Sequence, residues 1–208
     1  MSEIARHKTV IHPLPPVWNA KSRVLLLGTM PSPASRGAGF FYMHPQNRFW
    51  CVLPAVFGET LLYTNKGLRV GDSSSEPGKS PCSADNVPDL AAAIAERRDF
   101  LLRHNIALWD VLSSCDIAGA SDSSIHNAVP NDFEQIFTQS KIRRVFCTGK
   151  TAFSLWKKHC ANRYENRFNL TSECLPSTSP ANAAWSLDRL AGEYAKILEE
   201  LKNIVSND

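Results

Sequence analysis

No apolar run in this 208-residue chain approaches the roughly 18 residues that a membrane-spanning helix requires. The opening stretch, Met1 to Lys8, lacks the apolar core of a secretory signal, so a cytoplasmic protein is expected. Closely spaced cysteines are missing too. Cys51, Cys82, Cys115, Cys147, Cys160 and Cys174 contain no C-x-x-C pair, whereas a zinc or iron–sulfur site draws two ligands from one turn; no metal and no cofactor are expected. Neither H-E-x-x-H nor G-x-S-x-G occurs, which removes support for zinc proteases and serine-hydrolase elbows. There is no internal repeat and no heptad run. A strong excess of one charge is missing: a formal net charge of +3 permits an anionic partner without requiring one.

Two nucleotide-binding motifs occur only as fragments. Thr148-Gly149-Lys150-Thr151 ends like a P-loop, but the position where that loop needs its first glycine is Arg144, so nothing can wrap a phosphate. Gly37-Ala38-Gly39 begins like a dinucleotide fingerprint, and its third glycine position is Tyr42.

What is present is an ordinary globular composition, 43% hydrophobic and 21% charged, at a length that suits one domain over residues 1–208. Pro13, Pro15 and Pro16 mark residues 1–20 as an extended arm, and the Ser, Gly and Pro content of 64–88 marks a surface insertion. Elsewhere, apolar β-prone runs alternate with amphipathic segments. Strands are expected at Val24–Leu27, Ile106–Val111, Arg144–Thr148 and within Phe168–Leu175. Helices are expected at Arg48–Phe57, Asp89–His104 (with Leu90, Ile94, Leu101 and Leu102 inward), Asn131–Gln139, Thr151–Cys160 and Ala181–Val205. This order implies an α/β three-layer sandwich around a central, mainly parallel four-stranded sheet.

Open α/β sheets bind ligands beyond the carboxyl ends of their strands. Three loops should meet there: Gly28–Asn47, the stretch after Leu108-Trp109-Asp110, and Leu175–Asn182. They supply aromatic rings, carboxamides, a carboxylate and a Ser/Thr-rich turn, but no strong nucleophile. Such a set suits a reaction that binds a planar, amide-bearing ring and positions water.

Gly28-Thr29-Met30-Pro31-Ser32, the Tyr42–Trp50 stretch, Asp122-Ser123-Ser124-Ile125, Val129-Pro130-Asn131-Asp132-Phe133 and Leu175–Asn182 together resemble the hypoxanthine-DNA glycosylases of the uracil-DNA glycosylase superfamily. The resemblance covers most of the chain outside 64–88 and the termini. His44-Pro45-Gln46-Asn47-Arg48-Phe49-Trp50 is also similar to a segment of the mismatch-specific uracil-DNA glycosylases. The resemblance implies a monofunctional glycosylase without lyase activity, acting on DNA that contains deaminated bases, with Asn47 as the catalytic residue and Tyr42 stacking on the flipped base. A monomer is expected. The chain departs from the mismatch-specific enzymes at Met30, where they carry the water-orienting Asn, and from the usual second motif at Leu175, where it opens with His or Asn. Two alternatives therefore stand beside hypoxanthine excision: a uracil glycosylase, and a catalytically silent nucleic-acid-binding module on the same fold.

The chemistry fits these residues. Breaking an N-glycosidic bond builds positive charge on the sugar and negative charge on the leaving base. Asn47 could hold water with its oxygen and donate from its NH₂ to ring acceptors. Asp110 could accept from the ring N–H of a lactam edge, and the Tyr42 ring offers a stacking surface worth about 1–3 kcal/mol to an extruded base. Gly28, Thr29, Met30, Tyr42 and Asp110 are the expected base-binding residues; Ser32, His44, Ser177, Ser179 and Asn182 are the expected DNA contacts. Each candidate also has a purely structural reading. Asn47 suits a helix N-cap, Tyr42 the core and Asp110 a turn, while Ser179-Pro180 suits the start of the last helix.

Overall fold

The computed structural model describes residues 8–63, 65, 89–118 and 122–205. The expected insertion 64–88 lies outside them apart from Asn65, as does Cys82. From the amino end, β1 (Lys8–Ile11) is largely exposed, whereas β2 (Val24–Gly28) is buried along its whole length. Side chains alternate across a strand, so Val24 and Leu26 enter one apolar cluster while Leu25 and Leu27 enter another. A strand apolar on both faces belongs inside a sheet. β2 pairs in parallel with β3 (Ile106–Asp110) on one side and β6 (Arg144–Thr148) on the other, and β7 (Thr171–Leu175) extends the sheet in the order β3-β2-β6-β7.

Helices close both faces. α1 (Pro33–Ala38), α2 (Phe49–Val56), α3 (Leu90–Arg103) and α7 (Leu187–Val205) contribute to the cluster around Leu26, Leu108 and Phe146. α4 (Glu134–Gln139), α5 (Lys150–His159) and α6 (Ala161–Phe168) contribute to the cluster around Leu25, Val145 and Cys147. The result is the expected α/β sandwich with its central parallel sheet. Local chemistry sets the boundaries: the Asp89 carboxylate accepts the Ala91 N–H at 2.9 Å to start α3. Ser32 caps α1 ahead of Pro33, and Gly39 ends it in the left-handed region at φ +73.

Several features differ from the sequence reading, which expected neither α1 nor α6 and began α4 at Asn131. A second, antiparallel sheet joins β1 to β4 (Leu112–Ile117) and β4 to β5 (His126–Pro130), so part of the expected arm is a paired strand. These strands are short and half polar, with none of β5 fully buried, and so give little apolar signal. On α3 the fully buried residues are Ala93, Arg97, Phe100 and Leu101, while Leu90, Ile94 and Leu102 are only partly buried. The last helix begins at Leu187, not Ala181: Ser179, Pro180 and Asn182 form a turn, and the Ser186 hydroxyl accepts the Arg189 N–H at 3.3 Å. Among the described residues no helix is long and apolar enough to cross a membrane.

Candidate active site

A cleft of about 810 Å³ opens at the carboxyl ends of β2, β6 and β7. Its floor is Gly28, where β2 stops, flanked by Asp110 at the end of β3 and Thr148 at the end of β6. A Cβ on Gly28 would lie 2.2 Å from Asp110 Oδ1 and 2.9 Å from the Tyr42 hydroxyl, so only glycine lets these two groups converge.

Asn47 stands on the cleft wall just before α2. Its Oδ1 accepts the Phe49 N–H at 2.9 Å and the Thr178 hydroxyl, also at 2.9 Å. A backbone N–H can only donate, so these partners fix which end of the carboxamide is oxygen. Both lone pairs of that oxygen are used, which corrects the expectation that it holds water. The NH₂ group is the part of Asn47 left to meet a ligand. The helix-start reading is partly right, since Asn47 accepts the first helical amide from one residue ahead of the cap position, which is Arg48.

Arg48 turns the other way and organises the loop after β7. Its guanidinium donates to the carbonyls of Thr178 (3.3 Å), Ser179 (2.9 Å), Asn182 (3.0 Å) and Trp185, and its own N–H donates to Thr178 O at 3.1 Å. One cation thus stitches a segment without regular structure to the start of α2.

Asp110 is buried and takes a hydrogen bond from His12 Nε2 at 2.8 Å. His12 Nδ1 accepts the Leu14 N–H at 3.2 Å, which places the ring proton on Nε2 and makes the neutral imidazole the donor. Asn131 donates to the Asp110 and Leu112 carbonyls at 2.9 and 3.0 Å, fixing the backbone where β3 runs into β4. Asp110 is thereby held as an acceptor with Oδ1 over Gly28, rather than as a turn cap.

Tyr42 stacks on Phe49, with centroids 3.9 Å apart and planes 8° from parallel. Its hydroxyl donates to Thr148 Oγ1 at 2.7 Å, and Thr148 donates onward to Leu27 O. Burial, and after it the Asp110 charge, push the phenol well above its ordinary value, so it stays a donor. Tyr42 has φ +56, a left-handed conformation costing a non-glycine residue about 1–3 kcal/mol and needing support from its surroundings. Asp122, on the rim, accepts the Thr29 hydroxyl at 2.9 Å. Exclusion of water raises its carboxyl above the usual value, the Thr29 hydrogen bond lowers it, and the Asp110 charge raises it further.

The cleft brings together ten of the eleven expected site residues. Gly28, Thr29, Met30, Tyr42 and Asp110 line it, as do Asn47, Ser32, Ser177, Ser179 and Asn182; His44 does not. Several carry structural duties as well. Ser32 caps α1, the Ser177 hydroxyl accepts the Ser179 N–H, and Asn182 donates to Ser177 O. His12, Arg48, Thr148, Thr178 and Asp122 were not singled out by the sequence reading. Arg48, Thr178 and Asp122 do lie inside motifs that the sequence reading quoted, but no role was given to them there. Among the described residues no three His, Cys, Asp or Glu side chains gather as metal ligands.

The uracil DNA glycosylase superfamily model matches residues 15–202, a span that includes every wall of the cleft. The chain belongs to this superfamily. A hypoxanthine DNA glycosylase of Methanosarcina acetivorans is 27% identical over 177 residues, covering 84% of this chain and 90% of the relative. One of Methanosarcina barkeri is 25% identical over 159 residues, covering 76% of this chain and 83% of that one. A solution NMR structure of an M. acetivorans protein, provisionally described as a uracil DNA glycosylase, superposes with a TM-score of 0.65 over 93% of this chain and 99% of that one. At 22% identity it speaks to the superfamily fold alone.

Proposed function

We propose that this chain is a monofunctional DNA glycosylase that hydrolyses the N-glycosidic bond of deoxyinosine, releasing hypoxanthine, and that it works as a monomeric single domain. The observation that carries the reading is the fixed polarity of the cleft: Asn47 offers only its NH₂, and Asp110 offers only an acceptor. A lactam edge, N–H beside C=O, complements that pair. Adenine and cytosine present the reverse edge, an amino donor beside a ring acceptor, and would leave buried groups unpaired.

The same groups suit the reaction. As the bond to the sugar breaks, electron density moves onto the base, and the Asn47 NH₂ hydrogen-bonds more strongly to the charged base than to the neutral one. The Asp122 carboxylate on the rim supplies negative potential toward the sugar as it becomes cationic; water then adds to the sugar carbon, and its proton passes to the departing base anion, leaving a C1′ hydroxyl and neutral hypoxanthine. Tyr42, backed by Phe49, replaces the stacking that the extruded base gives up. The two Methanosarcina relatives named as hypoxanthine DNA glycosylases support the choice of base.

Uracil carries the same lactam edge and is the second reading. Labelled duplexes containing deoxyinosine, deoxyuridine or deoxyxanthosine separate the possibilities. Strand cleavage only after alkali, fastest on deoxyinosine, is the expected result. Cleavage without alkali would reveal lyase activity. Tight binding with no base release from any duplex would leave a silent binding module.

A further inference from the structure

Arg97 is a guanidinium with no exposed surface in the middle of α3, and among the described residues no carboxylate forms an ion pair with it. Its partners are Met43 Sδ, Tyr63 O at 3.2 Å and Asn65 Oδ1 at 2.8 Å; the ring of Trp50 lies 5.3 Å away, and Nε meets no partner among the described residues. Burial pulls its pKa down to about 10, so the site tolerates the charge poorly. An apolar side chain would fill this place with less loss of hydration.

The contacts of Asn65 suggest what the arrangement does. This buried carboxamide receives Arg97 on its oxygen and directs its NH₂ at three carbonyls: Tyr42 O at 3.0 Å, His44 O at 3.0 Å and Asn47 O at 3.3 Å. Those carbonyls span the turn that carries both Tyr42, in its left-handed conformation, and Asn47. The neighbouring Glu96 holds the chain just before Asn65 by accepting the N–H groups of Leu62 (2.6 Å) and Tyr63 (3.2 Å).

We infer that Asn65, oriented by Arg97, is a positioning residue for base excision, pinning the 42–47 turn so that the Asn47 NH₂ and the Tyr42 ring meet the base together. The inference rests on the catalytic reading of Asn47. It places a working residue at the edge of a segment whose sequence suggests only a surface insertion.

Asn65→Asp separates positioning from packing. The aspartate keeps an oxygen for Arg97, and as an ion pair, but it loses all donors to the three carbonyls. Single-turnover excision of hypoxanthine from a deoxyinosine duplex should fall on the order of 100-fold, as a misplacement near 1 Å costs. Affinity for duplex containing an abasic site should stay near wild type, while Tm should fall modestly because a carboxylate oxygen now faces three carbonyls. Amide hydrogen exchange should accelerate across residues 42–49 and not in α7. Wild-type excision with unchanged exchange would overturn the inference. If Asn65→Asp does not fold, Asn65→Ser, which keeps one small donor, is read by the same exchange comparison, and unchanged protection again overturns it. Asn47→Asp runs alongside. Full excision by that variant would sink the reading of Asn47, whereas loss there with none in Asn65→Asp would sink the positioning role alone.

Discussion

At the scale of single residues, the decisive feature of the cleft is that hydrogen-bond partners elsewhere in the fold settle what each polar group can offer. Asn47→Asp tests this directly, because either aspartate oxygen can still accept from Phe49 and Thr178 while the donor is gone. Base release should drop on the order of 10²–10³-fold, the cost of removing one preorganised donor at a developing anion, with Tm little changed. A loss of Tm with excision spared would return Asn47 to a helix-start role, worth about 1 kcal/mol. Asp122 has the opposite signature. Its carboxyl lies above the unfolded value, so the folded state is penalised for ionising it, and stability from this group falls as pH rises through the raised pKa. Asp122→Asn keeps an acceptor for Thr29 and removes the penalty. Its Tm should match wild type below the carboxylate range and exceed it near pH 7; melts at both pH values check the sign, and equal Tm values at pH 7 would refute it. Much of this was invisible in sequence. Gly28, Tyr42 and Asn47 sat in recognisable motifs and Asp110 at the end of an expected strand, but Thr178 meets Asn47 across 131 positions and His12 meets Asp110 across 98. No local pattern encodes such pairs, and a buried Arg97 contradicts the rule that charge faces water.

At the scale of elements, the legible parts were those with strong apolar periodicity. Arg144–Thr148 matches its expected bounds and β2 and β3 fall within a residue of theirs, because buried parallel strands read as short apolar runs, while β7 lies inside the expected Phe168–Leu175 stretch. β1, β4 and β5 were missed because an antiparallel sheet with a wet face tolerates Ser, Asp and His along its strands. The Ser-Pro signal at 179–180 misplaced the start of the last helix, since the same residues open a turn as readily. That turn is held less by its own sequence than by Arg48. Arg48→Met should therefore cost about 2–3 kcal/mol, in line with losing several charge-assisted hydrogen bonds, and should release the 177–185 segment. Arg48→Lys should recover only part of this, since one ammonium cannot serve four diverging carbonyls. Unfolding in urea measures the first effect, and affinity for an abasic duplex measures the second. If affinity holds while stability falls, the segment is scaffold and not a DNA contact.

At the scale of the whole molecule, charge is arranged locally. Surface cations on α5 and α6 are largely engaged with acids: Lys157 with Glu165, Arg163 with Asp132, and Arg167 with Glu134. The net charge of +3 over 208 residues is correspondingly a small excess. At the cleft, Arg36 lies on one wall, donating to Pro31 O, and exposed Lys150 lies on another at the start of α5. A duplex docked over the cleft would meet few cations, so binding should be only moderately salt-dependent, with each phosphate contact adding about 0.9 to the slope of log K against log salt. Lys150→Ala should weaken binding most at low salt, about equally for deoxyinosine and undamaged duplexes, and reduce that slope by about 1. Specificity should survive, because phosphate contacts set register, whereas base reading falls to the Asn47 and Asp110 pair on the proposed function. Titrations of both duplexes at several salt concentrations decide the matter. An unchanged slope would mean that Lys150 does not touch the backbone, and the docking direction would then have to be drawn from the Arg36 side of the cleft.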